Sequence, residues 1–363
     1  MDNLIQKLKK VKDFRRAQGK RHSLWFILLL IVLALMLGYT SYRGMEKFAQ
    51  INCLFLTKKL KINPKRVPSY STIKKVVDQV EWCNLVKIFN EWAGELVDFS
   101  QEIDTLAIDG KTLKSTVTNY HKSSQNFISM VSQFSQNTAI AINLSCWENK
   151  HDSEINQVQD MVKASEFEGQ ILTLDALHCQ TETLRVINES NNDYLVTVKK
   201  NQKKLYESLE RNSKIATPVS TYEEIDLSHG RQVTRKISVF SPPLDLDKKW
   251  VKVKSYLQIE RKGFRDKKPY YQVLYYLSSL KNEASYLGKK IRGHWLIENQ
   301  LHWVKDVIFS EDKVKIVAKQ ANINLSILKT IALNLFRFLG FLSITDGRIW
   351  LLHRWRHLSL LLE

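Results

Sequence analysis

Apolar residues recur at helical spacing through the first hundred positions and at strand spacing through the next hundred. The longest apolar run, "SLWFILLLIVLALMLGYTSY" (Ser23 to Tyr42), carries no charge. Its strictly apolar part, Leu24 to Leu37, falls short of the roughly 20 residues a membrane span needs. No small-residue cleavage site follows, and Met45 to Phe55 continues as an amphipathic pattern, so the run predicts a buried core helix. Beyond a loop around Pro64 and Pro68, "SYSTIKKVVDQV" predicts a further helix capped by Ser69 or Ser71. Lys74 and Lys75 on its outer face suit either a DNA-reading helix pair or a solvated surface.

From Leu106 the period changes to two. Strands are predicted at Leu106 to Asp109, from Phe127, from Thr138, at Ile171 to Asp175 and in "DYLVTVKK", with helices at Ser153 to Glu166 and Gln180 to Ser190. "TRKISVF", "WVKVKSYLQIE" and "YYQVLYYLSSL" form a β-strand-rich insertion at about 220–280, and the chain after Glu283 reads as helical to a basic tail, "RIWLLHRWRH". This divides the chain into an all-helical N-terminal domain, 1–100, with DNA binding as its expected role, and an α/β domain, 101–363. The order β-β-β-α-β-α-β is that of a ribonuclease-H-like mixed sheet flanked by helices, whose fourth strand lies parallel to and beside the first.

Composition narrows the partners. With 363 residues, 44% of them hydrophobic, the chain can bury a full core. Lys plus Arg number 55 against 37 Asp plus Glu, and the resulting +18 points to a large polyanion, nucleic acid before a ribosomal or membrane surface. Cys53, Cys83, Cys146 and Cys179 form no metal or redox motif, which fits a reducing cytosol.

Two apolar strands end on a carboxylate, Asp109 in "TLAIDGK" and Asp175 in "ILTLDALHCQ". A lone aspartate there is usually a turn former or cap. On adjacent strands about 4.8 Å apart, two would repel unless a cation lay between them. Hard oxygen ligands favour Mg²⁺ or Mn²⁺, and two such ions can clamp a phosphodiester. A third carboxylate, Glu298, stands in "RGHWLIENQLHWVKDVIF", flanking a stripe of Ile297, Leu301, Val304 and Ile308. His294 and His302 share its face at i and i+8; a His-Glu-His zinc site is the alternative to stacking or phosphate contacts. Trp295 and Trp303 are expected to pack in the core rather than stack on a base.

At these residues the chain resembles the ISAs-type, H-repeat-associated insertion-sequence transposases, over nearly its whole length. "AIDGKTLK" and "TLDALHCQ" are similar to that family's aspartate motifs, "VKKNQ" to its basic segment and "HWLIENQLHWVKDVIFSED" to its glutamate motif, while "DFRRAQGKRHSLWFILLL" resembles the associated N-terminal domain. The resemblance implies a DDE transposase with a ribonuclease-H-like core, in which Asp109, Asp175 and Glu298 hold two Mg²⁺ or Mn²⁺ ions for strand cleavage and strand transfer. It implies double-stranded DNA as partner, at terminal inverted repeats and at the target, a homodimer that synapses two ends, and a cytoplasmic, nucleoid-associated location. Candidates for holding DNA are Lys199, Lys200, Arg231, Arg292, His294 and Lys305. Of the wider clan's Tyr-Arg-Glu-Lys pattern only Glu298 and Lys305 match, Ile291 and His294 standing at the first two places, and Val233 occupies a position that usually carries glutamate. The rival readings are a stand-alone or domesticated nuclease of the same fold, a non-catalytic DNA-binding derivative and a membrane protein.

Overall fold

A computed structural model describes residues 2–62, 66–100, 102–117, 125–227, 232–265, 268–313 and 318–354. Five helices come first: α1 (Asp2–Lys9), α2 (Leu24–Met36), α3 (Tyr42–Lys59), α4 (Tyr70–Gln79) and α5 (Trp82–Gly94). The side chains of Ser41 and Ser69 accept from the Gly44 and Thr72 N–H groups and so start α3 and α4. Next come β1 (Thr105–Thr112), β2 (Ile128–Ser135), β3 (Ala141–Glu148), α6 (Glu154–Ala164), β4 (Ile171–Leu174), α7 (Thr181–Glu189), β5 (Asp193–Val198) and α8 (Lys203–Ile215). Four more strands, β6 (Ser220–Asp226), β7 (Val233–Phe240), β8 (Ser255–Arg265) and β9 (Lys268–Ser278), precede α9 (Ala284–Gly293), two π-helical turns (Glu298–His302 and Val304–Ile308), α10 (Lys319–Phe338) and α11 (Ile344–His353).

All nine strands share one sheet, ordered β3-β2-β1-β4-β5-β9-β8-β7-β6. β1 pairs antiparallel with β2, and β2 with β3. β4 lies parallel to β1, Ala107 opposite Thr173, as the element order predicts. Both faces of β4 are covered, so Ile171, Leu172, Thr173 and Leu174 are all buried and no polar residue alternates outward. The strands of the insertion extend this sheet, β9 pairing antiparallel with β5. Its first strand, β6, and the helix before it, α8, escaped the sequence pattern. β6 buries nothing fully, and α8 buries only Leu205 and Leu209. Residues 250–254 of "WVKVK" precede β8 instead of belonging to it.

β1 also outruns its expected end. It continues to Thr112, so Asp109 pairs with Ser132 inside the strand. The parallel pairing with β4 has stopped at Ala107, however, and Asp109 sits where that side of β1 is open.

Alternation along β1 sorts its side chains between two cores. Ala107 joins the core built from α1–α5, α10 and the helix of Ile297 and Leu301. Leu106 and Ile108 face the opposite core, under α6 and α7. The expected boundary near residue 100 falls between α5 and β1, yet the first core runs across it without a break. α2 lies inside that core, every residue but Trp25 buried, with α1, α3 and α10 against it. By length and composition Ala17–Met36 would suffice to cross a membrane, and 72% of its apolar window is buried inside the protein.

The open edge of β3 is closed by two asparagines. Asn334 of α10 accepts from the Ala141 N–H (3.0 Å) and donates to its carbonyl (2.7 Å). Asn90 of α5 does the same for Leu144, at 2.8 and 3.0 Å.

Candidate active site

Position 109 shares a face with Ala107, the face on which the Glu298 helix packs, so the period of β1 aims Asp109 at that helix. In the π turn the Trp303 N–H bonds the Glu298 carbonyl, a widening common at functional sites. One ligand atom each from Asp109, Glu298 and His302 lies within 4.8 Å of the others. His302 Nδ1 is 3.4 Å from Asp109 Oδ2 and 3.7 Å from Glu298 Oε2. Burial, followed by the hydrogen bond and charge of Glu298 and the charge of Glu154, pushes the Asp109 carboxyl up. The hydrogen bond with His302 holds Glu298 below the usual carboxylate range. Burial pushes the His302 imidazole down, and its Nε2 is buried without a partner.

Asp175 lies outside this triplet. It caps the turn after β4, accepting from the Leu177 N–H at 2.9 Å, and its Oδ1 is 3.9 Å from His178 Nε2. His294 stands between the groups: its Nδ1 is 3.0 Å from Thr173 Oγ1, and burial lowers its pKa against the opposing charges of Asp175 and Glu298.

The basic candidates separate. Lys199 and Lys200 are exposed directly after β5, at the sheet edge where β4 ends. Arg292 is exposed but donates to Glu224 (3.3 Å) and Asp226 (3.2 Å) of β6, beside a groove that Trp295 and Asn299 also line. Lys305 lies in the interior, 2% exposed, its Nζ donating to Ser326 Oγ at 2.7 Å. There its ammonium offsets the buried Glu311 carboxylate, 3.7 Å away, and does not face solvent. Arg231 lies outside the described residues. Trp295 and Trp303 are 55% and 54% exposed, against the expectation of core packing, because buried His302, Lys305 and Leu301 take the inner face.

Four groups at the site were not singled out from the sequence. Lys111, two residues beyond Asp109, donates to Asp306 and to Glu311 (3.1 Å). Glu311 is buried against Lys305, Lys111 and Lys329. His178, 1% exposed, lies 3.1 Å from Glu154 Oε1. Lys111 and His178 stand inside the two aspartate motifs and Glu311 near the end of the glutamate motif; Glu154 carries no local signal.

The family description "DDE_Tnp_1-associated" matches residues 5–93, and "Transposase DDE domain" matches residues 100–335. YncI of Escherichia coli O157:H7, named as a transposase, is 29% identical over 93% of this chain and 88% of its own. YbfL of E. coli K12 is 30% identical, over 92% and 90%. YhhI of the same strain, named as an H repeat-associated transposase, is 29% identical over the same shares. A cryo-EM structure of the piggyBac transposase synaptic complex with hairpin DNA aligns at TM-score 0.47 and 11% identity, covering 100% of this chain and 78% of the other.

Proposed function

This chain belongs to the DDE transposase family, and from that premise we propose that its acidic centre cuts DNA at element ends and joins the freed 3′ hydroxyl to target DNA. The observation that carries the proposal is the convergence of Asp109, Glu298 and His302 from distant parts of the chain. The strand order β3-β2-β1-β4-β5 supports a ribonuclease-H-like core, with Asp175 as the third carboxylate at the edge where parallel β1, β4 and β5 end.

The residues present fit a divalent cation. Two carboxylates in mutual hydrogen-bond reach, one pushed up by burial and by its neighbour, form a site that a cation would relieve. Asp109, Asp175 and Glu298 would hold two Mg²⁺ or Mn²⁺ ions, oxygen donors suiting either. When bound, such ions neutralise charge at the attacking and leaving oxygens of a phosphodiester. The protein's own part is to hold the three carboxylates on β1, on the turn after β4 and on a packed helix. Lys199 and Lys200 supply exposed charge where the DNA backbone would pass. Holding two element ends at once calls for a homodimer, and an interior α2 accords with a cytoplasmic protein acting on the nucleoid.

Glu298→Gln tests the reading. It abolishes Mg²⁺-dependent strand cleavage while salt-sensitive DNA binding stays near wild type, because phosphate contacts do not pass through Glu298. Cleavage at the wild-type rate by this variant refutes the assignment.

A further inference from the structure

We propose that Glu154 supplies a fourth carboxylate to the acidic centre, held there by His178. The inference rests on the metal-site reading above and adds a residue to it. Glu154 opens α6, where an acid ordinarily serves the helix dipole and points to water. Here the side chain turns inward and is 26% exposed. Its carboxyl group fills the space beside Gly110, the neighbour of Asp109: a Cβ built on Gly110 would meet the Glu154 carboxyl carbon and Oε2 at 2.3 Å and Oε1 at 2.6 Å. Position 110 can therefore carry no side chain unless Glu154 withdraws.

His178 explains why Glu154 stays. Its ring is buried, and Nε2 lies 3.1 Å from Glu154 Oε1 and 3.9 Å from Asp175 Oδ1, so one nitrogen faces an acid from α6 and an acid from the end of β4. Its Nδ1 is buried without a partner, like Nε2 of His302 across the site. Glu154 thus reaches the edge of Asp175 and Gly110 from the α6 flank of the sheet, while Glu298 meets Asp109 from the opposite flank.

The test is calorimetric titration of the metal-free full chain with Mn²⁺, without DNA, so that binding is read apart from activity. Glu154→Gln is expected to weaken Mn²⁺ binding tenfold or more, within the range seen when groups supporting a metal site are removed. Asp160→Asn, on the exposed side of the same helix, leaves it unchanged. Glu154→Asp keeps the helix-favouring charge but is one methylene short; it retains the wild-type melting temperature yet weakens Mn²⁺, which a purely helical role would not produce, and it carries the test should Glu154→Gln fail to fold. Wild-type affinity in a folded Glu154 variant overturns the proposal. Asp109→Asn separates the two levels: wild-type affinity in that variant refutes the centre itself, whereas loss there beside an unaffected Glu154→Gln refutes only the fourth carboxylate.

Discussion

Replacing Glu311 by Gln removes the more deeply buried of the two acids, Glu311 and Asp306, that Lys111, Lys305 and Lys329 all face. The Glu311 carboxylate accepts from Lys111 Nζ at 3.1 Å and lies 3.7 Å from Lys305 Nζ. Burial pushes this acid up, but the charges of Lys305, Lys111 and Lys329 outweigh it and hold it at about 2. At an effective dielectric of about 20, the attraction at the Lys305 distance is on the order of 4 kcal/mol. Part of it is returned when the carboxylate no longer has to be desolvated. Lys305 and Lys329, each 2% exposed, are left charged without their partner, and breaking a buried pair typically costs about 3–5 kcal/mol. Lys329 limits the damage, since burial already lowers it to about 8; shedding its proton at pH 7 costs only about 1.4 kcal/mol. The expected loss is therefore about 3 kcal/mol at pH 7, read from urea unfolding followed by circular dichroism. Adding Lys305→Met should recover part of it, because the stranded charge goes with it. A loss under about 1 kcal/mol, or a double variant that shows the plain sum of two losses, refutes the argument. Lys111 follows Asp109 by two residues and Lys305 lies two turns beyond Glu298, so this ion cluster also ties the strand of one carboxylate to the helix of the other.

Other outcomes follow from the same geometry. Asp109 is raised to about 8 in the folded protein from 3.8. The folded state then binds the extra proton, so its contribution is full below about 4 and is lost as pH rises through 8. The metal-free protein should thus lose stability over that window in EDTA, and Asp109→Asn should remove the slope; an unchanged slope by urea titration counts against a protonated Asp109. Asn334→Ala strands the buried Ala141 N–H and carbonyl, costing roughly 2–6 kcal/mol at ~1–3 per group; a denaturation midpoint near wild type would show that water replaces the amide. Lys199→Ala with Lys200→Ala should weaken DNA binding and reduce the slope of log affinity against log salt by about 1 per lost phosphate contact; an unaltered slope places the DNA elsewhere.

Much of the fold lay open in the sequence because it obeys simple periodicities. Apolar strands that end near Asp109 and Asp175, in an order that makes β1 and β4 neighbours, needed only alternation and chain order. The strictly apolar part of the run in α2, Leu24 to Leu37, was readable as interior because it falls short of a span, although Ala17–Met36 as a whole is long enough and only its burial inside the protein decides the matter. β6 and α8 were missed for the complementary reason: they bury little, so they print no apolar pattern. Lys305 was misplaced because a lysine in a helix reads as a surface charge unless its partner is known, and Glu311 reaches it only through the turn that follows. Glu154 was not singled out, for nothing local reveals that Gly110 leaves room for its carboxyl group.

Sequence alone determined that β4 lies beside β1 and that α2 is an interior helix, and it singled out Asp109, Asp175 and Glu298 as the candidate acids, since each depends on the spacing of residues along one element or on a motif carried whole. Tertiary structure decided which charges meet: that Asp109 faces Glu298 and His302 while Asp175 faces His178, that Lys305 is interior, and that the insertion lengthens the sheet. Electrostatic partnership depends on distance in space and on exclusion of water, and neither is encoded in the period of a single segment.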